Sequence, residues 1–221
     1  MQKNVTYCYS TLGRLTGIVV PSNMQAEVQE SASSYSYYSP QHNQIAISSA
    51  CRHIWDPYFE EVAHALRNHA HNGTFRYDHA IQYHTVSEFF GGLGRMIGRA
   101  FVPRPPGPAR WDNIHAHDQT YALLHDKTAW LRQIRETADN PPPDAQAFYQ
   151  GDKKAIRRQG GGHALGYLLA ENYTLPSRPR PLLKNLFSMA ADDVIGTIFP
   201  SIITRDPRIR HAWDAICEEY I

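Results

Sequence analysis

The densest chemistry in this chain lies between Asp56 and Gly73, in the run DPYFEEVAHALRNHAHNG. Two adjacent carboxylates, Glu60 and Glu61, stand four and three residues before His64. On a helix, residues four apart lie one above the other, so Glu60 and His64 would share a flank with Glu61 beside them. Carboxylate and imidazole are side chains that bind divalent metals, and they also carry protons in general acid–base chemistry. Half-buried beside a core stripe, they must either be paired or hold a metal between them, because a buried charge left alone is costly.

The surrounding residues predict the helix that would carry them. Phe59, Val62, Ala63, Leu66 and Ala70 recur at three- and four-residue steps, which makes one apolar stripe. Asp56 suits an N-cap, Pro57 suits the first helical position, and Asn72-Gly73 supplies a stop. The expectation is a continuous helix over 57–71 with Phe59, Val62 and Leu66 buried. A second helix is expected from about Tyr83 to Phe101, with Thr85 or Ser87 as its cap and Val86, Phe89, Phe90, Leu93, Ile97 and Phe101 on its apolar face. Glycines at 91, 92, 94 and 98 are each unfavourable there by about 1 kcal/mol relative to alanine, so another backbone must pass close by.

The EEVAHAL arrangement resembles the metal-binding helix of the zincin metallopeptidases, whose motif is H-E-x-x-H. His64 matches the second histidine and Glu61 the general-base glutamate, while Glu60 stands where the family has its first histidine. The preceding run from Tyr38 to Ser48 is similar to the edge strand above the cleft in many zincins. Glu88, in Glu-Phe-Phe-Gly-Gly, looks like the third ligand of the glutamate-type members; on its own terms it also reads as a first-turn carboxylate favoured by the helix dipole. The resemblance covers residues 35–75 and implies a metal held by Glu60, His64 and Glu88, with Glu171 as an alternative third ligand. It also implies a helper for the oxyanion, for which His163 and Tyr167, four apart on a helix expected over 163–172, are candidates.

The rest of the chain reads as follows. Val5–Tyr9 and Leu15–Val20 are rich in strand-forming types, and residues 21–34 form a loop or a short helix around Gln25–Glu30. Residues 35–38 and 44–47 flank a Ser-Pro-Gln-His-Asn turn and predict a hairpin. The prolines between 101 and 110 demand extended chain. Further helices are expected over 117–137, from a cap at Asp144, near 181–191, near 193–199 and over 207–220. Lys153, Lys154, Arg157 and Arg158 make a basic face, and Gly160–Gly166 reads as a joint; it lacks the lysine of a phosphate loop. The fold class expected is α+β: a small N-terminal mixed sheet with an edge strand (about 1–50) over a mainly helical body (about 54–221), zincin-like, in a single domain of 221 residues.

Composition removes several functions. Lys plus Arg is 22 against Asp plus Glu 21, so no global field calls for nucleic acid or an acidic membrane. No apolar run approaches a membrane span and no signal-peptide core opens the chain. Cys8, Cys51 and Cys217 form no CxxC, which favours reduced thiols and a cytoplasmic setting, or secretion without a classical signal. The function expected is a zinc peptidase acting on protein or peptide, with iron or manganese as alternative metals for a two-carboxylate, one-imidazole set. The alternative is a metal-free pseudoenzyme serving as a binding or structural module, in which Glu60 pairs with Arg67 or a nearby histidine. A di-iron bundle would need a second E-x-x-H, which the sequence lacks.

Overall fold

The structure, a computed structural model, describes residues 1–19, 24–29, 36–49, 52–73, 81–102, 104–111, 165–175, 179–205, 209–210 and 213–214. In chain order the elements are α1 (Gln2–Thr16), β1 (Gln25–Gln29), β2 (Tyr37–Ser39), β3 (Gln44–Ser48), α2 (Trp55–Ala70), α3 (Ile81–Phe101), α4 (165–171), α5 (Pro179–Ser188) and α6 (Ala191–Ile203). This is an α+β chain with a small mixed sheet and a mostly helical body. Its contacts gather into two compact units, one of Met1–Arg76, Phe90–Asn113 and Thr174–Met189, the other of Tyr77–Phe89, Ile114–Tyr173 and Ala190–Ile221. The boundary falls inside α3, which is one continuous helix.

In the first unit, α1 replaces the strand expected at Val5–Tyr9 and takes Leu15 and Thr16 of the one expected over 15–20, of which Val20 lies outside the described residues. Val5, Cys8, Tyr9, Leu12 and Thr16 are all buried, and their three- and four-residue spacing is helical. Residue type favoured strand, but the period decides which face can reach the core, and packing outweighs propensity. Gly17, at φ 69°, ends the helix with its N–H on the Gly13 carbonyl at 2.7 Å. Burial pushes the Cys8 thiol well above its ordinary pKa. Residues 25–29, expected as loop or short helix, are a strand paired parallel to β3. The β2–β3 hairpin is antiparallel as expected, with Asn43 in the left-handed region of its turn. Because the strand order is β1-β3-β2, the run likened to an edge strand places its longer part, β3, at the centre, and only β2 lies at an edge.

The central helix begins two residues earlier than the expected start at 57. Ile54 is extended and bridges Arg110, the Trp55 N–H donates to the Arg110 carbonyl at 2.9 Å, and the Trp55 indole donates to Ala109 at 2.9 Å. Asp56 is therefore a first-turn residue and no cap; its carboxylate accepts from Arg95 and Arg99. Asn72 (φ 54°) and Gly73 (φ 72°) stop the helix as expected, and Phe59, Val62 and Leu66 are fully buried. Near its end, Asn68 donates to the Tyr38 hydroxyl at 3.1 Å, which ties the helix to the sheet. Arg67 is also buried. It lies 3.8 Å over the Phe90 ring and donates to the carbonyls of Phe187 and Met189, the C-terminal end of α5. Burial lowers its pKa, but a guanidinium starts so high that it keeps its charge.

Three of the four glycines of α3, at 91, 94 and 98, stand where a neighbour leaves no room for a side chain. A Cβ at Gly94 would stand 2.4 Å from Ala63 Cβ and 2.5 Å from the Phe59 carbonyl oxygen, and one at Gly98 would stand 2.7 Å from the Phe59 ring. Thr85 and Ser87 are buried inside α3 and cap nothing, since the helix starts at Ile81.

In the second unit, Phe89 meets Phe199 and Tyr173 edge-on at 5.4 and 5.9 Å, and Tyr83 donates to Asp192 at 2.6 Å. Gly166, expected in a flexible joint, belongs to α4; its place at the crossing with α3 leaves no room for a side chain, because a Cβ there would be 2.5 Å from Glu88 Cβ. The helices expected near 181–191 and 193–199 run instead over Pro179–Ser188 and Ala191–Ile203, the latter with a π-helical turn at Val194–Ile198. Among the described residues no single helix is long and apolar enough to cross a membrane. The helices expected over 117–137 and after Asp144, the basic face at 153–158, His163 and most of 207–220 lie outside the described residues.

Two substitutions test this packing in chemical denaturation. Leu66→Ala should cost about 2–5 kcal/mol as a buried large-to-small change. Gly94→Ala should destabilise by about 1–3 kcal/mol, the strain of overpacking outweighing alanine's better helix propensity. A Gly94→Ala protein as stable as the parent would mean that α2 and α3 do not approach this closely.

Candidate metal centre

The helices α2 and α3 run antiparallel where they touch: Phe59 meets Gly98 and Gly94, Ala63 meets Gly94, and His64 meets Gly91. At Gly91 the missing side chain makes space for chemistry. A Cβ there would lie 2.6 Å from His64 Nε2, 3.0 Å from its Cε1 and 3.2 Å from Glu60 Cγ. The imidazole therefore rests against the bare backbone of α3, with Glu60 one turn before it on α2. Glu88 precedes Gly91 by three residues, which puts it on the same side of α3. One donor atom each from Glu60, His64 and Glu88 lies within 4.8 Å of the others. Donors about 2.1 Å from a tetrahedral ion are roughly 3.4 Å apart, so the side chains need only a small inward rotation to share one. Glu60 and His64 are half-buried and Glu88 is buried.

Charged neighbours surround the group. Arg95 Nη1 is 3.9 Å from Glu60 Oε2, and its Nε is 3.3 Å from Asp56 Oδ1. Arg99 holds the same Asp56 oxygen through Nη2 at 2.6 Å and Nε at 2.9 Å. His84, one turn before Glu88 on α3, has Nε2 3.9 Å from Glu88 Oε1. A metal-bound carboxylate commonly has such an outer partner, which fixes its orientation.

Glu60, His64 and Glu88 thus come together as the sequence suggested. Glu88 sits in the third turn of α3, beyond the reach of the helix dipole, so its reading as a first-turn carboxylate does not hold. Glu61 is 4 % exposed on α2, adjacent to Glu60 but outside the three-donor group. Tyr167 is buried on α4, next to the Gly166 that packs on Glu88. Glu171 is half-buried at the end of α4 and does not belong to the group, and His163 lies outside the described residues. Arg67, which with the nearby histidines was the partner expected for Glu60 in a metal-free protein, donates to the Phe187 and Met189 carbonyls, and Arg95 lies 3.9 Å from Glu60. The sequence reading missed Arg95, Asp56 and His84. The four-residue step from His84 to Glu88 was a visible signal, whereas nothing local to position 95 pairs it with a residue on another helix. Comparison of the chain with protein-family models, curated proteins and solved structures returns no match.

The glycine at 91 gives a test that leaves every donor residue unsubstituted. If the group holds zinc, Gly91→Ala should displace the His64 ring and weaken that binding at least about tenfold, or ~1.4 kcal/mol, by calorimetric titration. An unchanged affinity would show that the ring's seat on α3 does not shape the group.

Proposed function

We propose that this protein is a metal-dependent hydrolase, with a divalent ion held by Glu60, His64 and Glu88, and that its substrates are peptides. The observation that carries the reading is the convergence of two carboxylates and one imidazole from two helices onto a point where α3 has no side chain. Zinc suits this donor set; iron and manganese share it. Such an ion, when bound, polarises a carbonyl and acidifies a water. In this reading the three donors leave a coordination position open for substrate or water. Glu61, adjacent to Glu60, accepts the proton that the attacking water gives up. Tyr167 is the candidate to donate to the developing oxyanion. The peptide specificity and the role of Glu61 rest on the likeness of EEVAHAL to the zincin helix.

A second reading has its own observation. Arg95 already gives Glu60 a cationic neighbour at 3.9 Å, so the cluster can be balanced with no ion present and the protein can serve as a non-catalytic module. Elemental analysis of protein purified without chelator or nickel resin separates the two. The hydrolase should carry about one equivalent of metal, lost in His64→Ala and in Glu88→Ala. Glu61→Gln should keep the metal and lose hydrolysis of a mixed peptide library. A parent protein that neither carries nor takes up zinc, iron or manganese removes the hydrolase reading and leaves the module.

A further inference from the structure

Two arginines share the carboxylate of Asp56. One carboxylate, 3 % exposed, faces two guanidinium groups, Arg99 at 2.6 Å and Arg95 at 3.3 Å. Arg99 holds the carboxylate oxygen through two N–H groups, and Arg95 through one at the longer distance. Arg95 also reaches a second carboxylate, Glu60, at 3.9 Å. The side chains of Arg95 and Glu60 are 12 % and 13 % exposed, so solvent screens this pair only partly. The row Arg99, Asp56, Arg95, Glu60 is neutral as a whole, and Glu60 is the member that also belongs to the metal group.

We propose that Arg95 is the internal counter-cation of the metal centre: it neutralises Glu60 when no ion is bound and shares that carboxylate when one is. The proposal rests on the reading of Glu60, His64 and Glu88 as ligands. Two consequences follow from elementary electrostatics. A fixed positive charge beside a ligand carboxylate opposes a divalent ion, so Arg95 holds the metal affinity down. It also cancels the extra negative charge that a glutamate brings where an imidazole would be neutral, so a bound ion keeps the electron-withdrawing power of a one-carboxylate, two-histidine set. Arg95 and Glu60 then form one functional pair. Replacing Glu60 alone by histidine leaves the guanidinium charge uncompensated beside the ion, whereas replacing both restores the balance.

Calorimetric zinc titration of the full-length protein tests this, with thermal unfolding of each variant to show that it is folded. Arg95→Gln keeps a hydrogen-bond donor near Asp56 and removes the charge; it should bind zinc at least about tenfold more tightly than the parent. Arg95→Lys, which keeps the charge, should stay within about threefold of the parent, a difference too small to reflect loss of a full charge. Glu60→His should bind zinc more weakly than the double variant Glu60→His/Arg95→Gln. Arg95→Gln binding no more tightly than a zinc-binding parent would overturn the counter-cation while leaving the metal centre standing. If the parent takes up no zinc and Arg95→Gln does, Arg95 is confirmed as the group that keeps the ion out. If no folded variant binds zinc, the metal centre and the counter-cation fall together.

Discussion

The close approach of α3 to α2 is the constraint on which the candidate centre depends. Glycines at 91, 94 and 98 remove side chains along one line of α3, and Phe59, Ala63 and His64 occupy the vacated line. The Phe59 carbonyl comes so near that any Cβ at 94 would overlap it. This contact fixes the distance between the two helices. It therefore fixes where the Glu60 and His64 side chains lie against the bare backbone at Gly91. A wider spacing would leave the same residues as ordinary solvated charges.

The stripe of α2 that faces α3 is unusually polar for a helix contact. From Asp56 through Glu60 and His64 to Arg67, every turn presents an ionisable side chain, and all but Arg67 lie near ionisable groups of α3. Arg67 lies over the Phe90 ring and donates to two backbone carbonyls. Apolar packing by Phe59, Val62 and Leu66 supplies the adhesion and the ionic row supplies the register. A buried charge tolerates few alternative positions, so a row of them specifies one rotation of the helix better than an apolar face would.

Periodicity was the legible part of this sequence. The stripe of Phe59, Val62 and Leu66 located α2, the Asn72-Gly73 pair located its end, and the glycines of α3 announced a close neighbour. The hairpin around Asn43 was legible from its turn residues. The failures came where residue type was weighed above spacing: Val5, Tyr7 and Tyr9 are strand-forming types, yet the buried set Val5, Cys8, Leu12 and Thr16 has a helical step. In β1 the difficulty was different, because Gln25–Gln29 alternates weakly and owes its conformation to a parallel partner far along the chain. Asp56 looked like a cap because capping is local, while its actual partners are about forty residues away. Convergence of Glu60 and His64 with Glu88 could be suspected only by likeness to a known helix pair, since nothing in linear spacing links position 64 to position 88.

The frame around these donors is held by its own core. Trp55, Phe59, Leu66, Phe90 and Phe187 are fully buried and none of them is a donor, and Glu60 and His64 ride on the helix that this core secures. In small metal-dependent domains, ligation and folding are one event, and removing the ion unfolds the chain. Here the buried core residues are not among the donors, so loss of an ion from the proposed centre is expected to leave the fold standing. An ion that binds this site adds to stability only by mass action, growing as the logarithm of its concentration above the dissociation constant. On the proposed reading, the centre would fill and empty with the metal content of its surroundings while the fold persists.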